Sequence, residues 1–168
     1  MYYELKKENV YVSENAAQWA LFSGQLFILA ALTACFLKQF YLSFALFCLY
    51  VSTMFFWSKV HTDNDPSMKL IDSLIAFSTL LFFITYCADT YFKPGFKPLV
   101  YTVFVITLTV FFINEAIYYF TVKTSNEYSK ISNIDNREFI NQATVFSHIT
   151  FLHVLPVSAY FYCAFGSL

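Results

Sequence analysis

The stretch LVYTVFVITLTVFFINEAIYYF, Leu99–Phe120, decides the fold. It holds a single charged side chain, Glu115, and no glycine or proline. A helix rises about 1.5 Å per residue, so about twenty apolar residues match the hydrocarbon thickness of a bilayer. Four more apolar runs of similar length occupy about 18–37, 41–57, 70–89 and 139–164. Inside a bilayer only helices and closed barrels satisfy their backbone polar groups, and the strict alternation of a barrel strand is absent. The predicted fold class is therefore all-α, an integral membrane bundle of about five transmembrane helices behind a polar segment, 1–17. No internal repeat and no second domain is visible.

Composition agrees. The chain is 58% hydrophobic and 12% charged, about half the charge of an ordinary soluble domain. With a net charge of -1 and no basic patch, nucleic acid is excluded as a partner. Cys35, Cys48, Cys87 and Cys163 all lie within apolar runs without CxxC spacing and read as small membrane residues. The polar residues between the runs punctuate them: Lys38-Gln39, Thr62 to Pro66, Lys93-Pro94-Gly95, and Thr124 to Arg137. Asp135 or Asn136 is placed to cap the fifth helix, with Glu138 in its first turn. The first sixteen residues show no apolar stretch behind a basic start and are too acidic for a transit peptide, so the first helix is expected to serve as its own insertion signal.

Counting crossings assigns the loops to two sides. The N-terminal side carries Lys6, Lys7, Lys59, Lys69, Lys123, Lys130 and Arg137, and the other side Lys38, Lys93 and Lys97. The positive-inside rule places the first side in the cytoplasm or an equivalent compartment. The same count brings the chemistry together. Ser58 and His61 end the second helix on that side, Asp72 begins the third, and His148 and His153 lie in the first half of the fifth. Histidine and carboxylate are costly near lipid, and three neutral imidazoles form a zinc set with a fourth position open for water. The alternatives are structural: His61 facing headgroups, Asp72 as a first-turn acid favoured by the helix dipole, and His148 and His153 each bonded to a neighbouring helix. Glu115 is a further intramembrane acid without a partner visible in sequence.

The segment WSKVHTDNDPSMKLIDSLIAF, Trp57–Phe77, resembles the signature of the CREST superfamily of membrane hydrolases, which includes alkaline ceramidases, GPI-remodelling hydrolases and progestin and adipoQ receptors. There a serine near a helix end precedes a histidine, and an aspartate follows after ten intervening residues, the gap between His61 and Asp72. SHITFLHVLP, Ser147–Pro156, resembles the family's final helix with its two histidines. The resemblance implies Zn2+ held by His61, His148 and His153, with Ser58 and Asp72 as catalytic partners. ENVYVSENAAQW, Glu8–Trp19, is similar to the calcium-binding region of alkaline ceramidases, but Gln18 replaces an acidic ligand and calcium is not predicted.

Two departures matter. Ser58 and His61 are separated by two residues where the family has three, and His148 and His153 by four where it has three. A four-position step on a helix turns side chains by about 40°, a five-position step by about 140°. A shared ion therefore requires a π-bulge, which absorbs one residue; Pro156 loosens the helix beside His153 by freeing the Leu152 carbonyl. The family also has seven helices against five here. Two functions follow. One is a zinc-dependent intramembrane lipid hydrolase cleaving an amide or ester of a membrane lipid, in the endoplasmic reticulum or Golgi. The other is a non-catalytic integral subunit packed against other membrane subunits, for example in an energy-transducing complex of the mitochondrial inner membrane, retaining a relic of the hydrolase fold.

Overall fold

The computed structural model describes residues 12–60, 66–127 and 142–167, and their side chains apart from 66 and 118–127. His61, the expected caps Asp135 and Asn136, Glu138, and the loop charges Lys6, Lys7, Lys130 and Arg137 lie outside the described residues. Among the described residues there is no strand, and five helices are long and apolar enough to cross a membrane. We label them α1, Glu14–Phe36; α2, Phe40–Lys59; α3, starting at Pro66–Phe82 and continuing to Tyr91; α4, Lys97–Glu127; and α5, Gln142–Gly166.

Several helices begin before, or end after, the apolar runs that announce them. Hydropathy marks where the bilayer is crossed, whereas capping groups mark where helical hydrogen bonding starts. Ser13 caps α1, its Oγ accepting from the Ala16 amide at 3.3 Å, with Glu14 complementing the helix dipole in the first turn. Pro66 opens α3, where its missing N–H has no consequence.

The α1–α2 hairpin is the tightest joint. Lys38 takes a left-handed conformation, φ 61°. The amide of Gln39 reaches the Ala34 carbonyl at 2.8 Å and that of Lys38 reaches Cys35 at 3.0 Å, closing α1 in a Schellman turn usually made with glycine. Ala17, Ala20, Gly24, Phe27, Ala31 and Ala34 then form a buried stripe at three- and four-residue steps. Small residues let membrane helices approach closely. At Gly24 a Cβ would fall 2.4 Å from Met54 Cε, and Ser43 Oγ donates across to the Ala31 carbonyl at 2.8 Å.

At the far end of the bundle Tyr160 of α5 donates its hydroxyl to the buried Gln39 Oε1 at 3.0 Å. Asp89 pairs with Lys97 there at 2.5 Å. The outer surface is aromatic: Phe22, Phe36, Phe44 and Phe146 are each at least 70% exposed, the dress of a surface that faces lipid or other apolar protein.

Two helices leave α geometry. Phe83–Cys87 in α3 and Ile149–Val154 in α5 are π-helical. The second is the bulge that the histidine spacing requires.

Candidate functional site

In α5 the amide of Leu155 bonds the Thr150 carbonyl, five residues back. In that register the next carbonyl, Phe151, stands opposite Pro156, which has no N–H. The Phe151 carbonyl is thus left without a helical donor in the widened register. Thr107 of α4 satisfies it, donating its hydroxyl to the Phe151 carbonyl at 3.2 Å. The wide turn is therefore locked by a proline below and a threonine from the side.

Its effect is to bring His148 and His153 to one face. Their Nε2 atoms are 3.1 Å apart and their ring centroids 4.8 Å apart. Both rings are braced edge-on by aromatics, Trp57 against His148 at 5.2 Å and Phe27 against His153 at 4.8 Å.

Ser23 of α1 fixes the tautomer. Its Oγ lies 2.9 Å from the Ala20 carbonyl and 2.7 Å from His153 Nδ1. A hydroxyl has one proton, so both contacts are hydrogen bonds only if Ser23 donates to Ala20 and His153 Nδ1–H donates to Ser23. His153 Nε2 then carries a lone pair, and in the 3.1 Å contact His148 Nε2–H is the donor. Metal-binding histidines are oriented in this way by a partner on the other nitrogen.

The pair also fits an ion by distance. Two nitrogens 3.1 Å apart, each about 2.0–2.1 Å from one centre, subtend about 100° there, close to a tetrahedral angle. Among the described residues no group of three or more His, Cys, Asp or Glu side chains forms a metal set. The third expected ligand, His61, lies outside them.

Asp72 is buried, 7% exposed, and lines the same cavity of about 110 Å³ as both histidines. Its Oδ1 accepts from Ser52 Oγ at 2.9 Å and from Thr53 Oγ1 at 3.4 Å. Ser58 does not join them. It is exposed, and its hydroxyl donates to the Phe55 carbonyl at 3.1 Å. The reason is helical phase: Ser52 and Thr53 face α3, and five or six positions further on the chain has turned about 120–140° away. Thr53, not Ser58, is the α2 hydroxyl that lines the cavity with Asp72 and the imidazoles.

Glu115 has a partner after all. It forms an ion pair with Lys69 of α3, and Ser73 donates to its Oε1 at 3.1 Å. Lys69 was countable in sequence only as a loop charge, because hydropathy rises only from Leu70. Ser23 carried no more signal than a small polar residue in an alanine-rich stripe.

Fold and site together define a class: a five-helix membrane bundle whose helices each contribute to a polar site built around paired imidazoles. No protein-family model, curated protein or solved structure matches the chain.

Proposed function

We propose that this protein is a zinc-dependent intramembrane hydrolase of the CREST type, cleaving an amide or ester of a membrane lipid. The observation that carries this is the π-turn of α5, which brings His148 and His153 Nε2 within 3.1 Å of each other in a cavity shared with Asp72. Buried imidazoles and a buried carboxylate are expensive in a membrane, and π-turns are frequent at functional sites.

His148 and His153, joined by His61 as the resemblance implies, would hold the ion. When bound, zinc supplies a Lewis acid for a carbonyl and lowers the pKa of water toward neutrality. The remaining work belongs to the chain. Asp72, held by Ser52 and Thr53, accepts a proton and returns it to the leaving amine or alcohol. Thr53, whose 3.4 Å bond to Asp72 is long, turns to donate to the carbonyl oxygen in the role that the resemblance gave to Ser58. The cavity wall formed by Phe27, Leu42, Leu46, Phe83 and Val103 accepts an acyl chain. Under this proposal the protein belongs in the endoplasmic reticulum or Golgi.

The exposed aromatic surface favours a second reading, an integral subunit of a larger membrane assembly such as one in the mitochondrial inner membrane, with the site as a relic. Metal analysis separates the two. Purified wild-type protein should hold about one zinc per chain, and His148→Ala or His153→Ala should lose it together with release of fatty acid from a fluorescent ceramide or acyl ester. Equal zinc in wild type and variants, or none in any, would count for the subunit.

A further inference from the structure

A second cavity of about 80 Å³ adjoins the imidazole pair. Asp72, Ala76, Phe111, His148 and Leu152 line both it and the apolar cavity described above, so the two meet at Asp72 and His148. Their walls differ in character. The second contains Trp57, Lys69, Ser73, Asn114 and Glu115.

Two of those side chains are unsatisfied. Trp57 is 4% and Asn114 6% exposed, yet among the described residues Trp57 Nε1 and Asn114 Nδ2 have no hydrogen-bond partner. A buried N–H left unpaired costs about 1–3 kcal/mol, and in a bilayer no solvent lies alongside to relieve it. Both groups are donors, from α2 and α4, and they call for an acceptor. The charges on the wall restrict which one. Two carboxylates, Asp72 and Glu115, stand against one ammonium, Lys69, so a phosphate or carboxylate would meet net repulsion. A neutral oxygen meets none. The volume admits a small group of a few heavy atoms.

We infer that this chamber binds the uncharged, oxygen-bearing headgroup of a lipid, with Trp57 Nε1–H and Asn114 Nδ2–H donating to its hydroxyl or carbonyl oxygens while the acyl chain occupies the apolar cavity. The carbonyl that links head to tail then falls at the junction, beside His148 and Asp72. What happens to that carbonyl rests on the hydrolase proposal; the binding itself does not.

The chain has two tryptophans, and Trp19 is 61% exposed, so Trp19→Phe leaves Trp57 as the sole indole. In detergent micelles with chelator present, monoolein should shift Trp57 emission saturably to the red and move its indole N–H proton resonance downfield. Asn114→Leu in the same background should weaken binding about tenfold, the loss of one good hydrogen bond. Oleate, the anionic counterpart, should bind at least about tenfold more weakly than monoolein. No saturable response, an indole resonance that stays put, or oleate binding as tightly as monoolein would overturn the inference. The resonance shift is read without the Asn114 substitution, so a misfolded Asn114→Leu does not decide the matter. Lipid hydrolysis indifferent to Asn114→Leu would sink the chamber and leave the hydrolase standing. Monoolein binding by a protein that holds no zinc when purified without chelator would do the reverse.

Discussion

Ser23→Ala tests whether the imidazole pair is organised for a metal. The substitution removes one oxygen, which lies 2.7 Å from His153 Nδ1 and inside the buried stripe of α1. Two effects follow. The buried Nδ1–H loses its only described acceptor, which destabilises the fold by about 1–3 kcal/mol. The ring also loses the bond that keeps Nε2 unprotonated and aimed at His148, and partners of this kind are worth about 10–100-fold in metal affinity. Zinc affinity, measured by competition with a chromophoric chelator in micelles, should fall by that factor while helicity by circular dichroism stays unchanged. Ser23→Thr, which keeps the hydroxyl, should retain most of the affinity if the added methyl is accommodated. An affinity for Ser23→Ala within about twofold of wild type, with His153→Ala abolishing binding, would refute the claim that Ser23 sets the tautomer.

Two further outcomes bear on the frame. Deleting Thr150 removes the residue that the π-turn absorbs and returns the histidines to a four-position step, about 40° apart on a regular helix. The deletion variant should therefore keep zinc, and losing zinc with the helix intact would show that the wide turn does more than restore phase. Lys38→Gly relieves a left-handed lysine at the end of α1, and should stabilise the protein by about 1 kcal/mol. A raised midpoint of thermal unfolding in detergent would show this, and an unchanged or lowered midpoint would contradict it.

The five crossings were legible because each rests on a run of apolar residues long enough for a bilayer, a signal that does not depend on neighbours. Their ends were less so. Ser13 and Pro66 start helices in polar sequence, several residues before hydropathy rises. At the site, the need for a π-bulge followed from the five-position step between His148 and His153 alone, because helical phase is a local property. The partners were not local. Ser23 reaches His153 across 130 positions, and Lys69 reaches Glu115 across 46. Neither pairing leaves a mark on the sequence near it. Ser58 misled for a related reason: it stands close to His61 along the chain, whereas the choice among Ser52, Thr53 and Ser58 depends on which face of α2 meets α3.

Under the zinc proposal, the hydrogen bond between the two imidazoles also governs how quickly a cation is taken up. In the bonded pair the His148 proton sits on Nε2, the atom a ligand must bare. Loading therefore entails a change of tautomer, in which a neighbouring acceptor takes the Nε2 proton and Nδ1 gains one from a donor, so that the side chain starts and ends neutral. Such a site would fill slowly and, once the ring has rearranged, empty slowly as well.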